Sequence, residues 1–217
     1  MNEVLFFAQT FLIVSFALVA LKLGQSALIT WITIQAILAN LFVLKQITLL
    51  NFEVTATDAF AIGSLLGLNF LQEHYGKEEA QKATWICFFT MLFFALSSQL
   101  HLLFHPSIHD TAHQAFTTIL APAPRLLLAS IAVFFLVQQI DVRIFAFLKN
   151  HSNRSFVFRT AISLTISQFL DTLLFSFIGL YGLVASMIDI ILISFLIKLI
   201  VIFLITPLVK WGKAVKA

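Results

Sequence analysis

Residues 159–182 read RTAISLTISQFLDTLLFSFIGLYG, and residues 185–209 read ASMIDIILISFLIKLIVIFLITPLV. Each run exceeds the ~20 residues that an α-helix needs to cross a bilayer's hydrocarbon core. Each also carries one ionisable residue deep within it, Asp171 in the first and Lys198 in the second. A two-residue link leaves the chain no choice but to turn back, so the two runs predict neighbouring antiparallel membrane helices.

The rest of the chain has the same texture. Of 217 residues, 60% are apolar and 11% charged, and 25 are Phe. A soluble domain is ~45–50% apolar and ~25% charged. The composition therefore excludes a soluble globular, a disordered and a fibrous chain. The single cysteine, Cys87, excludes an internal disulfide framework and a cysteine-rich zinc module. The net charge of +3 reflects Lys and Arg in short loops, none long enough to form a basic face for nucleic acid.

Walking outward gives seven predicted spans, 3–22, 26–45, 56–74, 84–104, 125–148, 159–182 and 185–209, in one domain over 1–217. The first opens with Glu3 rather than a basic region, which argues for a helix over a signal peptide. With the N-terminus outside, Lys22, Lys77, Lys82, Lys149, Arg154, Arg159, Lys210, Lys213 and Lys216 fall on the cytoplasmic side, against Lys45 and Arg125 outside. That asymmetry follows the positive-inside rule. Trp31, Trp85 and Trp211 near inner ends and Tyr181 near an outer end suit interfacial anchors. The fold class is an all-α integral membrane protein, a polytopic bundle of about seven transmembrane helices, N-out/C-in. Residues 46–55, β-branched and containing Asn51 and Glu53, read as an extended outer loop or a re-entrant dip.

Ionisable residues inside spans are expensive, which makes them candidate functional groups. Asp171 lies twelve residues from Arg159, and Lys198 twelve from Lys210. At 1.5 Å per residue both sit about 18 Å from the inner end, near the midplane. They read either as a packing ion pair or as a pair lining a substrate cavity. Ser163, Ser167 and Asp171 recur every fourth residue, and Gln168 and Thr172 widen that polar stripe. Such a stripe must face protein or water. Gln138, Gln139 and Asp141 lie ~12–17 Å from the inner end of the fifth span, with Arg143 placed to pair with Asp141. Asn69, Gln72 and Glu73 close the third span. Asp58 reads as an ordinary acidic first turn at its outer end, and Asp189 lies near another outer end. His101, His105, His109 and His113 recur every fourth residue beside Asp110, but Pro106 interrupts them, which favours a hydrated loop over a metal site. Phosphate-loop, zinc-protease and serine-hydrolase motifs are absent from the sequence.

Four stretches resemble the queuosine precursor transporter family, also called the vitamin uptake transporter family. They are Asn69-Phe-Leu-Gln72-Glu73-His-Tyr75-Gly76-Lys77-Glu-Glu-Ala, Gln138-Gln-Ile-Asp141-Val-Arg-Ile-Phe145, Arg159 through Ser167-Gln168-Phe-Leu-Asp171-Thr172 to Phe175, and Lys198 followed by Thr206-Pro207. They span about residues 38–210 in the right order. Members often carry Asp where Asn69 stands, and the first helix here is additional to a six-helix core. The resemblance implies a multi-pass protein of the bacterial inner membrane that takes up a 7-deazaguanine base (preQ0, preQ1 or queuine) for queuosine in tRNA. It implies no cofactor or metal and no catalytic residue.

The residues suit that cargo. A 7-deazaguanine presents adjacent N–H donors that a carboxylate accepts in pairs, and Phe faces stack a planar base. The expected reading has Asp171 with Gln168 and Gln138 on the base edge. Asp141 and Glu73 are secondary contacts, Ser167 and Asn69 line the site, and Lys198 holds Asp171 ionised. A homo-oligomer is compatible with it, and the coupling stays open between proton symport through Asp141 or Asp171, facilitated diffusion drawn by downstream consumption, and a partner energy module. Two alternatives stay open, a substrate-binding subunit of an ATPase-driven uptake system and a membrane-embedded metal-dependent enzyme using the histidines.

Overall fold

The computed structural model describes residues 1–43, 45–49, 51–55, 57–121, 124–182 and 187–214. Helices occupy all seven predicted stretches: α1 (Asn2–Leu23), α2 (Gln25–Leu41), α3 (Asp58–Tyr75), α4 (Lys77–Leu102), α6 (Pro124–His151), α7 (Phe156–Phe175) and α8 (Met187–Ala214). A short α5 (His113–Leu120) lies in the loop after α4, and a π-helical turn, Ser176–Leu180, extends α7.

Five helical stretches are long and apolar enough to cross a membrane: Asn2–Leu23, Lys77–Leu102, Leu128–His151, Phe156–Gly179 and Ile190–Trp211. α2 is apolar but only 17 residues long. α3 has 18 residues and is buried without interruption from Ile62 to Gln72. A helix sheathed by protein on every side needs no lipid-facing apolar surface, which is why α3 is the more polar of the two.

Three local features differ from the sequence reading. First, residues 46–55 form an antiparallel hairpin, β1 (Gln46–Leu49) with β2 (Phe52–Thr55), pairing Leu49 with Phe52 and Ile47 with Val54. Asn51 turns it at φ 67, a left-handed conformation that Asn tolerates. Leu49 and Val54 are buried, and the hairpin packs on α1 and α8. The Asn2 side-chain amide donates to the Thr48 carbonyl at 3.0 Å. Second, α4 starts at Lys77 rather than 84, because Gly76 alone, at φ 95, reverses the chain after α3. Third, α5 was not foreseen. Asp110 Oδ1 accepts from the backbone N–H groups of Ala112 and His113 at 2.8 and 3.1 Å, which caps its start.

α3 is the axis of the bundle, in contact with α1, α2, α4, α6, α7 and α8. Its glycines let α1 and α2 approach closely. A Cβ at Gly63 would stand 2.6 Å from Ile13 Cγ2 and 3.0 Å from Gln35 Oε1, and one at Gly67 would stand 2.7 Å from Ile32 Cγ1. Small residues at such crossings are how membrane helices gain packing contact. Outside, Phe89, Phe93 and Phe203 stand 65–79% exposed. Inside, Asn69, Gln138 and Asp141 are fully buried. Apolar outside and polar inside is the arrangement that a bilayer solvent selects.

Candidate functional site

α3 and α7 run antiparallel and are tied together at two levels. At one end Glu73 accepts from Arg159 at 2.7 Å and meets Lys149 of α6 at 3.2 Å. Lys149 Nζ also donates to the Glu73 carbonyl at 3.0 Å. At the other end Lys198 of α8 donates to Asp171 at 2.6 Å and stands 3.9 Å from Asp58. Twelve residues of α7 and fifteen of α3 separate the clusters, which is ~18–22 Å along the helices.

The expected Asp171–Lys198 pair is therefore present, with a third member. Asp58, which the sequence reads as an ordinary acidic first turn at the outer end of its span, is a buried member of this triad. α3 begins within the bundle, beneath the hairpin, so its first turn is not at the surface. Counting fifteen residues outward from Glu73 would have placed Asp58 near the depth of Asp171.

Between the clusters lies a polar layer. Asp141 of α6 accepts on one oxygen, Oδ1, from Ser163 and Ser167 of α7, at 2.6 and 2.8 Å. The α7 serines thus serve Asp141 rather than continuing a stripe to Asp171. Arg143 stands on the exposed face of α6, and among the described residues it makes no ion pair with Asp141. Asn69 is one helical turn from Glu73 and Ser163 one turn from Arg159. Because those two are paired, Asn69, Ser163 and Asp141 share a level ~6 Å above the first cluster.

Gln138, three residues before Asp141, lies on the same side of α6. Its Nε2 donates to Ser64 Oγ at 3.2 Å and lies 3.5 Å from Cys87 Sγ. Ser64 gives its own proton to the Ile32 carbonyl at 3.1 Å. It must therefore accept from Gln138, and this fixes which way the Gln138 amide faces. Gln139 donates to Thr84 of α4, and Gln72 donates to the Val142 carbonyl at 2.9 Å.

Much of the layer's hydrogen-bonding capacity remains unpaired. Asp141 Oδ2, Gln138 Oε1, Gln168 Oε1, Gln35 Oε1 and both amide atoms of Asn69 are buried with no hydrogen-bond partner. A buried polar atom left so costs about 1–3 kcal/mol, and native interiors hold few of them. These five side chains stand on four helices, α2, α3, α6 and α7, and Trp31 Nε1, Gln72 Oε1 and Thr160 Oγ1 are buried without a partner as well. Asn69, Gln138, Asp141 and Gln168 were sequence candidates. Gln35 was not, since a lone Gln in an apolar helix carries no motif. Glu73 Oε2 also accepts no hydrogen bond, but the Glu73 charge is paired with two cations.

The histidine series does not assemble. His101 packs against Phe104 and Phe116, and among the described residues no three His, Cys, Asp or Glu side chains converge to hold a metal. The side chains of Glu53, Arg125, Asp189 and Lys213, and all of Lys216, lie outside the described residues. A cavity of about 420 Å³ opens between α7 and α8, lined by Leu199, Phe203 and Pro207 with Thr165 and Thr206. It is largely apolar and lies apart from the polar layer.

Fold and site together define a multi-pass helical membrane protein with a polar, charge-flanked interior. Comparison with known proteins makes this specific. Residues 55–212 match the family described as "Putative vitamin uptake transporter". A "Probable queuosine precursor transporter" of Bacillus subtilis (strain 168) is 32% identical over 179 residues, covering 79% of this chain and 78% of that protein. No solved structure matches. The chain belongs to this family of membrane transporters, as the four sequence stretches imply.

Proposed function

We propose that this chain imports a queuosine precursor, a 7-deazaguanine base, across the bacterial plasma membrane, with seven spans, its N-terminus outside and its C-terminus inside. Its similarity to the Bacillus subtilis protein supports the cargo class. The observation that carries the reading is the layer of buried, unpaired polar atoms between two ion clusters.

That layer suits such a base chemically. The base's N–H edge needs acceptors, and Gln138, Gln168 and Gln35 each offer an unpaired amide oxygen. The Asn69 amide has a donor and an acceptor to offer at the level of Asp141. Asp141, held by Ser163 and Ser167, has one oxygen left for the cargo. In this arrangement Asp141, more than Asp171, is the carboxyl group that meets the base. Asp171 and Lys198 close the outer side, and Glu73 with Arg159 and Lys149 closes the inner side. A site that rewards a hydrogen-bonding partner strongly rejects analogues lacking one, because its buried groups are then stranded.

The test is tRNA queuosine content in a bacterial host that lacks precursor synthesis and its own precursor transporter. The host expresses this chain and is fed preQ0, preQ1 or queuine at low concentration. At least one base is expected to restore queuosine with the intact chain. Asp141→Asn and Asp171→Asn, present in the membrane at normal levels, are expected to lose most of that restoration. Failure of every base with the intact chain in the membrane would overturn the reading. Full restoration by Asp141→Asn would remove that residue from the site.

A further inference from the structure

Asp141 differs from every other described carboxylate inside the bundle. Glu73 faces Arg159 and Lys149. Asp171 and Asp58 share Lys198. Asp141 is fully buried, yet among the described residues it makes no ion pair, and its only side-chain partners are the two serine hydroxyls on Oδ1. The neighbouring elements offer it no spare charge. From α3 come Glu73 and Asp58, both already paired. From α4 comes Cys87, which sits beside Gln138. From α7 come Arg159 and Asp171, committed to Glu73 and Lys198. On α6 itself Lys149 is held at Glu73 and Arg143 stands outside. A carboxylate sealed in a bilayer interior with no cation is strongly disfavoured. Either a proton neutralises it or it opens to water.

We propose that Asp141 is the coupling site of this transporter, loading one proton from the outside with each molecule of cargo and releasing it to the cytoplasm. The proton bonds to Oδ2, the oxygen without a partner, while Ser163 and Ser167 hold Oδ1. In the closed bundle the neutral carboxyl has an O–H to donate to the ring carbonyl of the base. When the inner cluster parts, water reaches Asp141, the O–H bond breaks, the proton passes to water and the carboxylate is solvated. The empty carrier returns with Asp141 deprotonated and hydrated in the cargo-free cavity, and takes its next proton from the outside before cargo enters. Because the proton travels inward with the base and the carrier returns without it, the cycle couples inward base movement to inward proton movement. The cargo is taken from the function proposed above. The assignment of Asp141 rests on its missing counter-charge alone.

The experiment uses the full-length chain in liposomes at zero membrane potential, with labelled preQ1 and labelled preQ0 as separate probes. A gradient of about one pH unit, acid outside, should concentrate a one-proton symporter's cargo about tenfold, since 1.4 kcal/mol corresponds to a factor of ten. A protonophore should collapse that to equilibration, and a lumenal dye should report acidification as base enters. For Asp141→Asn the ratio of gradient-driven to gradient-free uptake should fall to one, while Asp141→Glu should retain a response. Binding supplies a second readout should the Asn variant transport too slowly. Base affinity in detergent should vary with pH for the wild type and be flat for Asp141→Asn. Wild-type equilibration that ignores the gradient would overturn the coupling and leave the transport reading intact, as would Asp141→Asn that still concentrates cargo under the gradient. No movement of either base, nor of labelled queuine, under any gradient would overturn the transport reading, and the coupling with it.

Discussion

Lys198 is the residue whose loss should be felt most. It is buried, and it neutralises two carboxylates, Asp171 at 2.6 Å and Asp58 at 3.9 Å. Removing one partner of a buried pair strands the other and costs about 3–5 kcal/mol. Lys198→Met leaves two carboxylates facing each other, so it should lower the melting temperature in detergent more than Asp171→Asn, which leaves Asp58 still paired. The triple variant with Asp58→Asn and Asp171→Asn added should recover most of the loss. A Lys198→Met protein as stable as wild type would show that the triad carries little folding energy. The sequence made the Asp171–Lys198 pair legible because two adjacent spans each held one unlike charge at one depth. It hid Asp58, since a first-turn carboxylate looks the same whether its helix starts at the surface or within the bundle. It placed the serines on a polar side of α7 without saying which group they would meet. Spacing puts Ser163, Ser167 and Asp171 on one side of α7, but which neighbour meets each turn is decided by how α6 crosses it.

At the scale of elements, α3 is held by close approach rather than by oil-like burial. Lipid tails compete equally for apolar surface, so packing contact decides. Gly63 and Gly67 create that contact, and a methyl at either meets Ile13 or Ile32 well inside van der Waals distance. Overpacking of this kind typically costs 1–3 kcal/mol. Gly67→Ala should therefore lower detergent stability measurably, and Gly63→Ala should also disturb Gln35, whose Oε1 lies 3.0 Å from the position of the added carbon. A stability scan that finds Gly67→Ala neutral would mean that α2 yields easily. The helices themselves were readable because twenty apolar residues leave a chain in lipid few options. The hairpin was not, because ten residues carry no span-length signal. Asn51 and the β-branched run allowed an extended segment but did not say that its two halves pair. α4 starts earlier than hydropathy suggests because Glu78, Glu79 and Lys82 are polar yet helical. Lys82 donates to Glu79 at 2.6 Å across one turn, and Gln25 of α2 also donates to Glu79.

For the whole molecule, the two ion clusters give the bundle a direction. The cluster of Glu73, Arg159 and Lys149 lies beside the α3–α4 turn and the α6–α7 loop, where Lys77, Lys82 and Arg154 collect. The triad of Asp58, Asp171 and Lys198 lies beneath the hairpin and the N-terminus of α1, which Asn2 joins to Thr48. Positive residues are retained on the cytoplasmic side of short loops, so the first cluster should face the cytoplasm and the hairpin the outside. Single cysteines introduced with Cys87→Ser decide this. Asn51 at the hairpin turn and Asn153 in the α6–α7 loop are both exposed and have no role in the clusters. Asn51→Cys should react with a membrane-impermeant maleimide in intact spheroplasts, and Asn153→Cys only after the membrane is opened. The reverse labelling would invert the bundle and place the Glu73 cluster outside. Protons driven inward would then meet the Arg159 side first, and the order of loading and release proposed for Asp141 would reverse with it. Labelling of both sites in intact spheroplasts would mean that one of the three helices between them, α3, α4 and α6, does not cross. Of these, α3 is the one outside the five long apolar spans. One labelling pattern therefore tests the crossing of α3 and the direction of transport together.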